Sequence, residues 1–496
     1  MFVVKVNKSR YEYDIHSIVK AFFPKEDVKV LSPDIGMNKQ NIWEEEVKLT
    51  VNLNEAGASL YFGTGEDYNW QIVKDSKEQR DAKAYKAAFK RFLYTSLVDY
   101  TGKELPWGNL TGIRPTKIAM ELLEKGEKEE EIIRKMESEH FVSSQKAVLC
   151  VDIAKREQKL FSSIHRENGY SLYIGIPFCP TTCLYCSFTS YPISRHKSRV
   201  EEYIDCLIKE MQYTQKACQD KILDSVYIGG GTPTTLEAGQ LDRLLTALRE
   251  NFDFSTVQEF TVEAGRADSI TREKLEVLKK HRVDRISINP QTLNDEILRS
   301  VGRRHTVEQF YSAYEAARKS GIPIINTDLI AGLPGESAES FSHNVDEIMH
   351  LAPENFTVHT FCVKRAADLR HTEQSHFSRS AGRVGEMVEY ARARAAEHGY
   401  APYYLYRQKN TVGNLENVGY AKPGTQSLYN VYMMEEFHSV FGCGAGAVTR
   451  LVGNDPSKIL RIFSAKYPYE YLCENKSAMS AENTAKIRAF FAEEPK

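Results

Sequence analysis

Long apolar runs are missing from this sequence. No stretch of its 496 residues approaches the roughly 18 consecutive apolar residues of a membrane span, which excludes a helical membrane protein. An excess of either charge is missing too: 65 Lys and Arg stand against 67 Asp and Glu, interspersed, for a formal net charge of −2. That leaves no electrostatic case for a nucleic acid or a membrane surface as partner. The opening residues, Met1-Phe2-Val3-Val4-Lys5, lack a basic region followed by an apolar segment and a small-residue cleavage site, so no secretory leader is expected and the location is read as cytoplasmic. The rest is ordinary for a soluble globular chain, 42% hydrophobic and 27% charged, and its length calls for two or three domains.

Structural disulfides are excluded on the same reading, because the cytosol keeps thiols reduced. Six of the nine cysteines (Cys150, Cys206, Cys218, Cys362, Cys443 and Cys473) are scattered, and each is read as a small buried hydrophobe. The other three, Cys179, Cys183 and Cys186, stand within eight residues.

Residues 1–165 read as a mixed α/β domain of unknown role. Strands are expected at Met1–Val6, Glu45–Leu53 and Ala58–Phe62, and helices at Lys77–Asp99 and Pro115–Arg134. From 166 to 365 the pattern becomes a strand–helix alternation. Short apolar strands are predicted at Leu172–Ile176, Ser225–Ile228, Phe260–Glu263, Arg285–Ile288, Ile324–Ile330 and Phe356–Phe361, with helices at 199–217, 236–250, 272–280, 306–319 and 337–351. The first of these helices spaces Val200, Tyr203, Ile204, Leu207 and Met211 along one buried face. The fourth is bounded by a capping box, Thr306 with Gln309, and by Gly321. Six βα units demand a parallel sheet with right-handed crossovers and function at the carboxyl ends of its strands; patterning leaves an open partial barrel and a doubly wound sheet as the options. Residues 366–496, with a helix at 382–398, the stretch Tyr403-Tyr404-Leu405-Tyr406 and glycine-rich segments, read as a smaller third domain that closes the site.

The first strand of the alternation runs into Pro177-Phe178-Cys179-Pro180-Thr181-Thr182-Cys183-Leu184-Tyr185-Cys186. This C-x3-C-x2-C spacing puts three thiolates on one loop at a strand's carboxyl end, where ligands are expected in such sheets. Thiolates suit zinc and iron–sulfur clusters alike. Structural zinc wants four protein ligands in paired spacings, and no second Cys or Cys/His pair of that kind exists in the chain. Three cysteines suit instead a cubane whose fourth iron is open to another ligand.

The loop resembles the signature of radical S-adenosylmethionine (SAM) enzymes. Across 171–365 the chain is similar to the oxygen-independent coproporphyrinogen III oxidases and their heme-chaperone relatives, and overall to the HemZ-type branch of that family. The resemblance implies a partial (β/α)6 radical SAM barrel, an α/β fold with an N-terminal α/β domain and a small C-terminal domain. It implies a [4Fe–4S] cluster on Cys179, Cys183 and Cys186, with SAM chelated by the open iron. The run Gly229-Gly230-Gly231-Thr232-Pro233-Thr234 matches the family's glycine-rich segment after strand two. Alone it would read as a turn; glycines there also admit a ligand close to the backbone. The resemblance carries Glu263, Gln291, Arg303 and Asp328 to SAM-contacting positions, and Tyr173 and Tyr185 to positions flanking the cluster and adenine. The loop Ala331–Glu336 is expected to shape the nucleoside pocket, and Gly442–Ala447 matches a C-terminal glycine-rich strand end near the site, with a tight turn as its plain alternative.

Two positions depart from the oxidase pattern: Gly175 replaces a histidine, and Phe188 replaces a fourth cysteine. The implied function is oxidative decarboxylation of coproporphyrinogen III to protoporphyrinogen IX, fed by a reductant such as flavodoxin or ferredoxin. A heme-binding chaperone and an anaerobic heme-modifying or heme-degrading enzyme are the alternatives. Anchors for the carboxylates of a tetrapyrrole are sought among Arg303, Arg304, His305, Lys364 and Arg365.

Overall fold

The computed structural model describes residues 1–24, 26–33, 47–73, 76–112, 114–161, 165, 168–186, 188–362, 381–408, 411–453, 455, 458–474 and 481–492. By contact these separate into two units, Met1–Ala154 with Thr372–Gly385 and Tyr406–Glu416, and Lys155–His371 with Glu386–Leu405 and Asn417–Lys496.

The first unit is built on five strands, β1 (Phe2–Val6), β2 (Val28–Leu31), β3 (Val47–Asn54), β4 (Gly57–Phe62) and β5 (Asp67–Gln71), in the order β2-β1-β3-β4-β5. Alternation of Leu49, Val51 and Leu53 with polar residues on β3 gives the sheet one apolar face, which packs with Ile15, Ile18, Val19 and Phe22 of the helix Glu12–Phe22 and with Phe89, Leu93 and Leu97 of the helix Ala82–Thr101. The helix expected over Pro115–Arg134 is two helices, Thr116–Glu124 and Glu129–His140. Gly126, at a φ of 78°, breaks the first before the charge run begins the second. Lys146 and Glu416 form a buried ion pair at 2.6 Å, and the Trp107 indole donates to the same carboxylate at 2.8 Å.

The second unit holds β6 (Gly169–Ile176), the two-residue β7 (Phe178–Cys179) and β8 (Tyr191–Pro192), then β9 (Ile222–Gly230), β10 (Glu259–Glu263), β11 (Arg285–Ser287), β12 (Ile324–Ala331), β13 (Asn355–Thr360), β14 (Ala401–Arg407), β15 (Glu416–Ala421), β16 (Ser439–Cys443), β17 (Val448–Val452) and β18 (Ile459–Phe463). Among the described residues, β6, β9, β10, β11, β12 and β13 lie side by side in chain order and pair parallel throughout. A doubly wound sheet reverses its strand order at a switch point. This one does not, so right-handed crossovers keep the helices on one face, as in a barrel. The eleven-stranded order runs from β14 to β18 as its two edges, which makes the barrel a partial one. Residues after 366, expected as a third domain, extend the same sheet: β15 pairs antiparallel with β13, and β16 lies parallel to β6.

The helices follow from their faces and caps. Val200–Ala217 buries the expected Val200, Tyr203, Ile204, Leu207 and Met211, and Val307–Ser320 starts on the Thr306–Gln309 capping box and ends on Gly321 at a φ of 74°. A short helix, Asp295–Ser300, capped by Asn294, was not evident from periodicity. Of the scattered cysteines, Cys150, Cys218 and Cys443 are buried as expected; Cys206 and Cys362 are half-buried and Cys473 is exposed. Cys473 lies on the short helix Pro468–Glu474, whose anchor in the core is Tyr471.

At the amino ends of the strands a buried charge cluster ties the sheet together. Arg285 on β11 pairs with Glu259 on β10 at 3.2 Å, meets the Asn355 side chain on β13, and donates to the carbonyls of Thr425 and Gln426 at 2.9 and 3.1 Å. Glu259 also accepts from the Ser427 hydroxyl and the Leu428 N–H, at the start of the helix Leu428–Glu435. Removing one partner of a buried pair leaves the other uncompensated, so Glu259→Ala should cost about 3–5 kcal/mol. Chemical denaturation checks this; an unchanged midpoint would mean that Arg285 is satisfied without it.

Candidate functional site

Strand alternation assembles the site. On β6 the residues Leu172, Ile174 and Ile176 form one buried apolar file, while Tyr173 and Gly175 face the other way. In register with them on β9 are Tyr227 and Gly229. Glu263 ends β10, and a Cβ at Gly229 would lie 3.0 Å from its carboxylate, so the glycine leaves room for that group. Tyr227 donates to Glu263 Oε1 at 2.5 Å. Burial pushes the Glu263 carboxyl up to about 7, with Asp328 adding to the shift and the Tyr227 hydroxyl and Gly230 N–H opposing it. Tyr227 also stacks on Tyr429 at 4.3 Å, with Tyr173 at 6.3 and 6.4 Å from the two.

The glycine run performs two different tasks. Gly230, at a φ of 109°, turns the strand beside Tyr173, whose hydroxyl would be 3.2 Å from a Cβ there. At Gly231 a Cβ would fall 2.5 Å from the Phe178 carbonyl oxygen, and the N–H groups of Gly231 and Thr232 donate to Ile176 and Phe178 at 2.8 and 2.7 Å. This strap fixes the root of the Cys loop.

Each thiol in the loop has its own neighbours. Cys179 Sγ is 3.3 Å from the Thr232 hydroxyl, and burial pushes that thiol up to about 12. Cys186 Sγ is 3.5 Å from the Ser190 hydroxyl, and burial raises it as well. Arg266 and Arg303 each bring a guanidinium nitrogen to 3.9 Å from Cys183 Sγ. Arg303 is held by the carbonyls of Gly265 and Asn289 at 2.9 and 2.7 Å, and donates to the Tyr185 hydroxyl at 3.3 Å. Among the described residues, no three His, Cys, Asp or Glu side chains converge tightly enough to ligate a single metal ion. A cubane places each of three thiolates on a different iron, so wider spacing belongs to that donor set, and the two cations offset the charge of thiolate ligation.

Opposite the loop, Gln291 follows β11 at a φ of 69°; its N–H donates to the Asp328 carbonyl at 2.9 Å and its carbonyl accepts from Ile330 at 2.9 Å. This backbone bridge joins Gln291 to β12 and places it beside Asp328, whose carboxylate takes the Asn326 amide at 2.9 Å and lies 3.6 Å from His359. Gln291 Oε1 and Asn289 Oδ1 are buried with no hydrogen-bond partner among the described residues. Two orphaned acceptors inside a ring that also carries Glu263 and Asp328 suit a ligand bearing an ammonium group and hydroxyls. The loop after β12 is tied down by Glu336, which accepts from Thr292 and Asn344 at 2.5 and 2.8 Å.

Three of the five expected anchors are among the described residues. Arg303 is buried against Cys183, Arg304 is exposed and lines a cavity with Pro180, Thr181 and Thr182, and His305 is buried. Burial, with Arg303 and Arg266 adding, pushes the His305 imidazole down to about 3, so it carries no charge for an anion at neutral pH. Lys364 and Arg365 lie outside the described residues. Sequence reasoning missed Tyr227, Arg266 and Tyr429. Tyr227 was legible as the residue two before Gly229 on the same strand face; Arg266, beyond a strand end, and Tyr429, from a distant helix, gave no signal.

The segment Gly442–Ala447 does reach the site. Gly444 lies against Gly175, whose carbonyl oxygen would be 2.4 Å from a Cβ there. Tyr203 donates to that carbonyl at 2.7 Å and accepts from the Ala445 N–H at 2.9 Å. Glu210 takes the Gly444 N–H at 2.7 Å and the Tyr471 hydroxyl at 2.5 Å.

A parallel six-strand partial barrel with three thiols on the loop after its first strand defines a radical SAM protein, and residues 173–348 match the Radical SAM superfamily. Over 399 residues the sequence is 42% identical to the oxygen-independent coproporphyrinogen-III oxidase-like protein HemZ of Bacillus subtilis, covering 78% of this chain and 79% of that one. The chain therefore belongs to the radical SAM family of oxygen-independent coproporphyrinogen-III oxidase-like proteins, which use a [4Fe–4S] cluster and SAM. It is also 33% identical to the heme chaperone HemW of Lactococcus lactis over 58% of this chain and 71% of that one. Among solved structures it is similar to the coproporphyrinogen III oxidase HemN of Escherichia coli, with a TM-score of 0.49 and 21% identity over 65% of this chain and 73% of that one. No described helix is long and apolar enough to cross a membrane.

Burial pushes the Glu210 carboxyl up to about 7, against the opposing Tyr471 and Gly444 hydrogen bonds. Between about pH 4.5 and 7 the folded state holds this proton and the unfolded state does not, so stability falls as pH rises through that window. Replacing it by Gln should flatten that part of the curve. Parallel curves for the parent and E210Q, measured by thermal unfolding across pH 4 to 8, would show that Glu210 is ionised throughout.

Proposed function

We propose that this protein is a radical SAM oxidoreductase that converts coproporphyrinogen III to protoporphyrinogen IX without oxygen. The observation that carries the reading is the 42% identity, over 79% of its length, to a protein named as coproporphyrinogen-III oxidase-like. In this reading Cys179, Cys183 and Cys186 hold the cluster. SAM lies among Gly229, Gly230, Gly231, Thr232, Glu263, Gln291 and Asp328, flanked by Tyr173, Tyr185 and Arg303. Cluster and SAM together supply a 5′-deoxyadenosyl radical, the chemistry that no side chain provides.

The chain's own part is placement and charge. Arg266 and Arg303 oppose the negative charge gathered at Cys183. Glu263 exchanges its proton near neutrality, and an ammonium group beside it favours the carboxylate form. Gln291 Oε1 and Asn289 Oδ1 gain the donors they lack. On the substrate, each of two propionate side chains would give up one hydrogen atom to that radical, then CO2, and one electron to a one-electron acceptor, leaving a vinyl group. The electron that starts each turnover comes from a reductant such as flavodoxin or ferredoxin.

Anaerobically reconstituted protein should hold about four irons and four sulfides per chain. Replacing Cys179, Cys183 or Cys186 by Ala should abolish this, whereas Cys206→Ala should not. Protein that stays colourless after iron and sulfide are supplied would end the cluster assignment.

With SAM, dithionite and coproporphyrinogen III in the absence of oxygen, protoporphyrinogen IX and CO2 should form together with 5′-deoxyadenosine. The similarity to the heme chaperone HemW supports a second reading, in which the same barrel carries heme. Tight heme binding with coproporphyrinogen recovered unchanged would establish that reading against the first. Consumption of heme itself would displace both.

A further inference from the structure

The outer face of the Cys loop carries charges that the proposed reaction does not use. From Pro177 to Arg199 the sequence contains no acidic residue but has Arg195, His196, Lys197 and Arg199. Arg199 is paired with Glu202 at 3.0 Å. Arg195 and Lys197 are exposed, as is Arg304 from the far side of the loop, and among the described residues none of these three has an ion-pair partner. Glu470, whose charge reaches Tyr191, is an acid near this rim.

A cavity of about 530 Å³ opens on the same face, with Pro180, Thr181 and Thr182 in its wall and Arg195 and Arg304 at its edge. Those wall residues are the whole of the chain between Cys179 and Cys183. The cavity therefore reaches the stretch of loop that joins the first two thiols. Two residues beyond Cys186, Phe188 is 70% exposed.

An electron bound for a cluster on this loop has to cross the protein around it, and its rate falls steeply with the thickness crossed. Cations without an ion-pair partner around a cavity that reaches the loop raise a positive potential that steers an acidic partner to it. We propose that this face, centred on the Thr181–Thr182 wall and rimmed by Arg195, Lys197 and Arg304, is the docking surface for a small acidic protein that carries single electrons. The inference rests on the cluster assignment in the proposed function. One electron passes from the reduced carrier to the cluster, the carrier is oxidised by one electron, and no atom is transferred.

The test uses the full-length reconstituted enzyme and its variant R195E/K197E/R304E, with 5′-deoxyadenosine formation and the affinity for flavodoxin, by calorimetry, as its two readouts. One arm is driven by a reduced acidic flavodoxin at low and high salt, the other by photoreduced deazaflavin, a small uncharged donor. The variant should lose about tenfold or more of the flavodoxin-driven rate at low salt, together with the salt dependence of the parent. The deazaflavin-driven rate should stay unchanged, and R195Q/K197Q/R304Q should fall between the two. Equal flavodoxin-driven rates in parent and variants would overturn the proposal, and citrate binding that accompanied them would mark the cavity as a small-anion site instead. An equal loss with both donors would overturn it too, because the three side chains would then serve the loop rather than a partner. A parent inactive with deazaflavin would remove the cluster reading, and the docking surface with it.

Discussion

How closely the ends of β6 and β9 approach each other governs the geometry around them. The two strands run parallel in register as far as Ile176 opposite Gly230. Beyond that pair, Gly231 and Thr232 continue to donate to the β6 side, with the Gly231 backbone so near Phe178 that no Cβ fits. Cys179 is thereby anchored within reach of Thr232, and the following residues have to leave the sheet. They are caught again on the opposite side, where the Leu184 N–H donates to the Val301 carbonyl at 3.0 Å and Thr181 donates to that of Gly302 at 3.4 Å. The loop is a span with two fixed ends, and its thiols take their positions from both.

Charge is distributed around that span with one sign on each side. Cations collect at the thiols, where Arg266 is itself held by Asp268 at 2.8 Å. Carboxylates collect on the strands and on the loop after β12, where burial pushes both Glu263 and Glu336 up to about 7. Their environments differ. Glu336 takes the Thr292 and Asn344 side chains on one oxygen and serves to hold a loop, whereas Glu263 shares its surroundings with a second carboxylate, Asp328, and with acceptors that have no partner among the described residues. Like charges brought together in a poorly solvated place are stabilised by a cation, which is the chemical sense in which this ring is incomplete by itself.

The barrel was legible because its signals are local. Each of the six strands is a short, mostly apolar run and each intervening helix carries its own apolar face, most with a cap as well, so Thr306, Gln309 and Gly321 mark one helix without knowledge of any other. The strand order followed only from the structure, since the same βα alternation serves a doubly wound sheet. At the site, the three cysteines and the glycine run announce themselves by spacing and composition. Arg266 and Tyr429 do not, because their roles come from tertiary proximity across a loop and from a helix more than 200 residues beyond β6. The continuous helix expected after Pro115 failed for a local reason, Gly126, that charge patterning had masked. Arg303, Arg304 and His305 do not act as one group, because adjacency in sequence says nothing of direction: one side chain goes to a thiol, the next is exposed and the third is buried.

The position of β16 bears on how the molecule is made. It pairs parallel with β6, and Ser171 on β6 bonds both to Ser225 on β9 and to His438, 267 residues along the chain, each at 2.7 Å. During synthesis β6 therefore emerges long before its neighbour on that side. At ordinary elongation rates of about 5–20 residues per second the interval is on the order of ten seconds to a minute. Through that time the nascent chain presents an unpaired, largely apolar strand edge next to three reduced thiols. The same delay leaves Gly175 and Thr189, on either side of the Cys loop, without the Gly442–Ala447 turn that packs against both.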